Sequence, residues 1–317
     1  METPHHLQRQ HKLRPRAPPQ NSLGWACLAL TQAVSKLLKI SRFRFWIYAA
    51  GPYVIGYTLG ASGFNDFLRP QYYIYLFYFF VPANIIIYGI NDYFDTETDI
   101  YNPKKDEKEL RVLASERRKL GRLLAVVIAL SMGLMVTQDG GAQLLFAGFL
   151  FLAIFYSAPP LRFKSKPFID FTSNYLYIMP GLFGHYIVSG RLPDSLIMLA
   201  GFLHISAMHI FSAVPDIEPD RKAGIKTTPV VIGRTAALIL VTIFWTSLAI
   251  LAITLTNFHP LSFLAFIYPL VPTSVLFFGK DINRVYWTLP YINTSLGGLL
   301  WLALVNHKII PFVPRLL

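Results

Sequence analysis

The feature that most restricts this chain is a recurrence of apolar runs, each near the length needed to cross a bilayer, divided by short polar loops. The runs fall at residues 45–59, 72–90, 120–136, 142–156, 171–188, 195–214, 235–256, 260–278 and 286–305. A helix needs about 20 apolar residues to span the hydrocarbon. Inside that layer every backbone N–H and C=O must be bonded within the segment, which makes helices the element for runs of this length. Several runs fall short of a full span, and the turns at 138–141 and 257–260 are the weakest divisions. The expected fold is all-α, a polytopic membrane bundle of about nine transmembrane helices. Composition agrees: 54% hydrophobic and 15% charged residues, with a mean hydropathy of +0.44, are too apolar for an ordinary soluble domain.

A net charge of +12 raises the question of a nucleic-acid partner. The Lys and Arg residues, however, sit in loops between apolar runs, where membrane lipid headgroups account for them better, so no nucleic acid is expected. They crowd the loops after the second run (Lys104, Lys105, Lys108, Arg111, Arg117, Arg118, Lys119), the fourth (Arg162, Lys164, Lys166), the sixth (Arg221, Lys222, Lys226, Arg234) and the eighth (Lys280, Arg284). The alternate loops hold only Arg69 and Arg191. Positive charge marks the cytoplasmic side, so these loops and the N-terminus are expected there. Residues 1–22, rich in Pro, Gln, His and Arg, read as a disordered basic cytoplasmic tail, in which His5, His6 and His11 are solvated. Residues 23–41 read as an amphipathic helix at the interface, without a convincing cleavage site, and 42–317 as the transmembrane domain. The single cysteine, Cys27, excludes an internal disulfide.

Two acidic clusters stand out against this background. Asp92, Asp95 and Asp99 close the second run, and at i, i+3 and i+7 they share one face of a helix. Asp216 and Asp220 close the sixth run at i, i+4, although Pro219 argues against regular helix between them. Four runs separate the clusters, so both lie on the same membrane face, and a run followed by an acid cluster occurs twice, a weak sign of two related halves. Like charges grouped at a membrane boundary call for a hard cation with oxygen ligands, and Mg2+ held by one or two carboxylates completes its shell with water and phosphate oxygens. Facing clusters with basic residues nearby suit a diphosphate, and the same charges stabilise it as a leaving group when an allylic fragment departs as a cation. Aromatic faces from a set including Tyr72, Tyr73, Phe77, Phe79, Tyr175 and Tyr177 would stabilise that cation. Acids grouped at the edge of a membrane are functional by default.

These residues carry a resemblance. Asn91, Asp92, Asp95 and Asp99 resemble the N-D-x-x-D-x-x-x-D signature of the UbiA superfamily of membrane prenyltransferases, and Asp216 to Asp220 resembles its second D-x-x-x-D motif. Tyr156, Arg162 and Lys164 resemble the tyrosine and basic segment between them, a match covering roughly residues 42 to 306. The resemblance implies a helical bundle with a central cavity under a cytoplasmic cap, binding a prenyl diphosphate through Mg2+ in the cytoplasmic membrane. It implies Asp92, Asp95 and Asp99 as holders of one metal and Asp216 and Asp220 as holders of the other. Asn91 would support the first motif, Arg162 and Lys164 would contact the diphosphate, and Tyr156 would lie near the reacting carbon. Arg42 and Lys222 are further phosphate candidates, each equally readable as a membrane-flank charge.

The wording of the loops bears on the acceptor. Many quinone-forming members follow the first motif with an N-K-P-x-R-P type segment, whereas this chain has Asn102, Pro103, Lys104 and Lys105 there. With the segment from Arg162 through Asp170 and Asn174 to Pro180, it looks more like the lycopene elongases of C50 carotenoid synthesis. That implies dimethylallyl diphosphate as donor, lycopene or a related carotenoid as lipophilic acceptor, and carotenoid-pathway enzymes as partners. Such an acceptor offers only its terminal double bond, and the resulting tertiary cation must lose a proton or capture water. His185, His204 and His209 lie in apolar runs as candidate bases, though hydrogen-bonded structural histidines are the more common case. Asp170 and Asn174, one turn apart, would orient substrate or each other. An aromatic prenyltransferase of quinone or tocopherol-type synthesis is the alternative. A transporter fits less well, since transporter sites gather at broken helices near the midplane.

Overall fold

The computed structural model describes residues 31, 35–96 and 113–310. The chain divides into two units, Met1–Leu38 and Lys39–Leu317; of the first, residues 31 and 35–38 are described and are helical. The expected tail at 1–22, most of the expected interfacial helix, Asp99 and the 102–105 segment lie outside the described residues.

In the second unit the helices run α1 (Ile47–Gly60), α2 (Pro70–Phe80), α3 (Pro82–Phe94), α4 (Arg117–Val136), α5 (Gly140–Phe155), α6 (Ile169–Thr172) and α7 (Met179–Ser189). They continue with α8 (Ser195–Ala213), α9 (Ile217–Lys222), α10 (Thr228–Ile232), α11 (Arg234–Leu255), α12 (Ile267–Phe277), α13 (Ile282–Tyr286) and α14 (Leu289–Lys308). Among the described residues six stretches are long and apolar enough to cross a membrane: Pro70–Phe94, Arg117–Val136, Ser195–Lys222, Arg234–Leu255, Pro260–Phe277 and Ile282–Lys308. Side chains such as Val126, Leu144, Ile250 and Phe277 point outward from the bundle, and a bilayer is the environment that covers them. The protein is an integral membrane protein.

The other three expected spans correspond to shorter elements. α1 has 14 residues and α5 has 16. The run at 171–188 is split into α6, a 3-10 turn over Ser173–Tyr177, and α7. Ser173 Oγ and Asn174 Nδ2 donate to the Asp170 carbonyl at 3.1 and 2.7 Å, so side chains compete for an acceptor that a continuous helix would use itself. The two weak divisions are real breaks. Asp139 caps α5 by accepting from Ala142 N–H at 2.9 Å, and α11 ends where Asn257 and Phe258 take left-handed backbone at φ 50° and 61°.

Two devices set the positions of helices around the first acid cluster. Pro82 has no N–H to continue α2 into α3, and the buried Asn84 amide answers the break by donating to the Phe79 and Phe80 carbonyls at 2.8 and 3.0 Å. On the other flank α1 lies directly against α7. A Cβ on Gly56 would stand 2.0 Å from the Gly181 carbonyl oxygen, and one on Gly184 would stand 2.7 Å from the Tyr53 oxygen, so only glycine allows this approach of two backbones. A second core joins α8, α11 and α12 through Phe211, Val241, Trp245 and Tyr268.

Candidate active site

The first acid motif lies at the end of α3. Tyr88, Asn91 and Asp92 occupy its last turns, and Asp95 is the residue that ends it, its N–H donating to the Asn91 carbonyl at 2.9 Å. Asp92 and Asp95 are 1% and 4% exposed, which a carboxylate tolerates only with partners. Arg42 Nη2 donates to Asp92 Oδ1 at 2.9 Å while its guanidinium lies 4.7 Å from the centre of the Tyr88 ring. Arg162 Nη2 donates to Asp95 Oδ1 at 3.0 Å, and Lys164 Nζ contacts Asp95 Oδ2. Asn91 braces the motif through Ser157 Oγ at 3.1 Å.

The segment after α5 folds back on itself to deliver those bases. Arg162 N–H donates to the Ala158 carbonyl at 2.9 Å and Lys164 N–H to the Tyr156 carbonyl at 3.0 Å, which returns Lys164 to the end of α5 beside Tyr156. Arg42 and Arg162, the two arginines paired to the motif, both hold left-handed backbone, at φ 49° and 40°. Non-glycine residues adopt it at a cost, and such conformations gather at functional sites. Burial pulls the Lys164 ammonium down to about 7, with the charges of Asp220 and Asp92 pulling the other way.

The second cluster follows α8. Val214–Asp216 forms a 3-10 turn and α9 continues it. Pro219 does not break this helix, because it sits in the first turn of α9, where its missing N–H has no partner to lose. Asp216 and Asp220 are half-buried, and Thr227 Oγ1 lies 3.3 Å from Asp220 Oδ2.

A cavity of about 930 Å³ joins these groups: Arg42, Asn91, Asp95, Tyr156, Lys164, Asn174, Asp216 and Asp220 all line it. Lys222 does not; it is exposed on α9. Of the six aromatics expected around the cavity, only Tyr177 lines it. Tyr72 and Phe79 are buried in an aromatic cluster with Tyr53 and Phe183, Tyr73 and Phe77 face outward, and Tyr175 bonds the Met198 carbonyl. The rings that do face the cavity include Phe45, Tyr48, Tyr88 and Tyr268. Sequence carried a signal for Tyr88, one turn before Asp92, but none for Tyr48. Of the histidines, His185 is a structural one, bonded to the Arg191 carbonyl at 2.8 Å, whereas His204 and His209 line the cavity.

The donor set fits Mg2+. Asp95, Asp216 and Asp220 offer oxygens to one cavity, while among the described residues no group of three or more His, Cys, Asp or Glu is close enough to hold a metal alone. Mg2+ takes few protein ligands and shares the rest with phosphate and water, so it needs no denser cluster.

The model of the UbiA prenyltransferase family matches residues 49–305. A lycopene elongase/hydratase of Haloferax volcanii is 40% identical over 275 residues, covering 85% of this chain and 90% of that one. The fold is shared with a UbiA homolog from Archaeoglobus fulgidus. Its structure bound to GPP and Mg2+ gives a TM-score of 0.65 at 22% identity, covering 86% of this chain and 99% of that one. Its structure bound to DMAPP and Mg2+ gives the same TM-score and identity over 88% and 100%.

Proposed function

This chain belongs to the UbiA prenyltransferase family, and from that premise we propose that it prenylates lycopene or a related carotenoid with dimethylallyl diphosphate, in a Mg2+-dependent reaction on the cytoplasmic face of the cytoplasmic membrane. The Haloferax volcanii relative supports the acceptor, and the ligands of the Archaeoglobus fulgidus homolog support donor and metal. One observation carries the reading: Lys164, in contact with Asp95 of the first cluster, lines the same cavity as Asp216 and Asp220 of the second. That is where a diphosphate bridging them would lie.

Mg2+ held by Asp92, Asp95 and Asp99 on one side, and by Asp216 and Asp220 on the other, would supply charge stabilisation for the departing diphosphate. Lys164, Arg162 and Arg42 turn from their carboxylates to the phosphate oxygens, each exchanging one charge-assisted bond for another. The C–O bond breaks with its electron pair leaving on the diphosphate. Tyr88, Tyr177 and Tyr48, which line the cavity, would stabilise the allylic cation through their rings. The Tyr177 hydroxyl donates to Tyr88 at 3.2 Å and fixes both rings. The π pair of the acceptor's terminal double bond then forms the new C–C bond, leaving a tertiary cation on the acceptor.

Membranes carrying the protein, incubated with labelled dimethylallyl diphosphate, Mg2+ and either lycopene or a hydroxybenzoate, test this directly. Label is expected in lycopene and is expected to be lost in Asp92→Ala. Label in the hydroxybenzoate instead would assign an aromatic acceptor. Label in neither, with Asp92→Ala matching wild type, would refute the reaction.

A further inference from the structure

We propose that His209, oriented by Asp170, is the catalytic base that removes a proton from water as the water oxygen captures the tertiary cation left on the acceptor. The inference rests on the carotenoid-acceptor reading above and adds to it how the reaction ends.

Asp170 is wholly buried, at 0% exposure, yet it belongs to neither acid cluster. Its carboxylate accepts from Thr228 N–H at 2.6 Å and from the Thr228 hydroxyl. Burial alone would raise its pKa, but the neighbouring His209 and the Thr228 bonds hold it below the ordinary carboxylate range. The basic side chain paired with this charge among the described residues is His209, whose Nε2 stands 3.8 Å from Asp170 Oδ2. That nitrogen is buried and makes no hydrogen bond, so the pair is poised rather than closed. Catalytic contacts in empty sites are often long and tighten when charge develops. A structural histidine has a ring nitrogen satisfied in the bundle, as His185 Nδ1 is by the Arg191 carbonyl. The ring of His209 instead lines the cavity, 6.1 Å and edge-on from Tyr156, in the layer that also holds Asn174. At 1.5 Å per residue, this layer lies roughly 10 Å along the helix from Asp216. It is the depth at which carbons beyond the diphosphate must react.

The step balances without a further reactant. A lone pair of water forms the C–O bond to the tertiary carbon, one O–H bond breaks with its electrons staying on oxygen, and the proton passes to the imidazole. Asp170 stabilises the imidazolium, as a buried carboxylate does behind a general-base histidine. Prenyl diphosphate, acceptor and water thus give a prenylated tertiary alcohol, diphosphate and a proton released to water.

The test uses full-length protein in membranes with labelled dimethylallyl diphosphate, Mg2+ and lycopene in 18O-water, reading prenyl label and 18O in the carotenoid separately. Wild type is expected to give 18O-alcohol. His209→Ala is expected to keep transferring label while its alcohol share falls on the order of tenfold or more, the remainder appearing as alkene, and added imidazole is expected to restore the alcohol. Asp170→Asn, whose amide can still bond both Thr228 groups, is expected to show the same shift without imidazole rescue. An unchanged alcohol share in His209→Ala, or a wild-type product free of 18O, overturns the base assignment. Asp170→Asn behaving as wild type overturns the positioning role. Wild type that labels no lycopene overturns the acceptor reading itself, a result distinct from either.

Discussion

Replacing Arg42 by Met removes one of the contacts that hold the first acid motif. Arg42 Nη2 stands 2.9 Å from Asp92 Oδ1, with the two side chains 13% and 1% exposed. At that separation, and an effective dielectric of 20, unit charges attract by about 6 kcal/mol. Desolvation of both ions offsets most of this, so the pair as a whole contributes little, while removal of one member is costly. Taking away the guanidinium and leaving the buried carboxylate should cost about 3–5 kcal/mol. At about 2–4 °C per kcal/mol for a unit of this size, Tm should fall by about 6–20 °C. Arg42→Met combined with Asp92→Leu should recover most of the loss, since two apolar side chains then fill the site. The assay is thermal unfolding of detergent-purified protein by intrinsic fluorescence, at one fixed scan rate and without Mg2+ or diphosphate, because unfolding of such proteins is commonly irreversible. A single variant melting within about 2 °C of wild type, against the expected fall, or a double variant no more stable than the single, would refute the reasoning.

Other perturbations follow from the same geometry. Gly56→Leu puts a side chain where a Cβ already meets the Gly181 oxygen at 2.0 Å, so α1 and α7 must part; size exclusion should show aggregate, and a monodisperse, active variant would count against the packing. Lys164→Ala should raise KM for the diphosphate by about tenfold or more, the scale of one charge-assisted bond. Lys222→Ala, which removes an exposed side chain that does not line the cavity, should leave it unchanged, and equal effects of the two would contradict the site. Asn84→Leu strips the donors from the Phe79 and Phe80 carbonyls and should cost about 1–3 kcal/mol in thermal unfolding; a Tm equal to that of wild type would show the break needs no such support.

The all-helical membrane fold was legible because hydrocarbon permits few alternatives to a helix, and run length alone identifies one. The residues gathered at the cavity were legible for a related reason. Asp95, Asp216 and Asp220 are charges at span ends, and their cost at such places singles them out. What escaped was the division of the 171–188 run, because Ser173 and Asn174 bond the Asp170 carbonyl through side chains that hydropathy does not weigh. The cavity aromatics escaped for a different reason. With aromatic residues on nearly every helix, composition cannot say that Tyr48 faces inward and Tyr73 outward; only the rotation of α1 and α2 decides it. Lys222 is the opposite case: an expected phosphate candidate that is exposed and does not line the cavity. It sits two residues after Asp220, a helical spacing at which two side chains do not share a face.

The lining of the cavity also includes Leu59, Pro193 and His259, at the helix ends opposite the acid clusters, so the chamber follows α8 for most of its 19 residues, about 28 Å. A rod-shaped acceptor lying along it presents one tip to the diphosphate and keeps the other in the far leaflet. Under the proposed reaction the two tips cannot be treated in one visit: the molecule must leave, turn over and return. Modification would then be distributive, with singly elongated carotenoid accumulating as a free species in a time course before any doubly elongated product forms, whichever tip enters first.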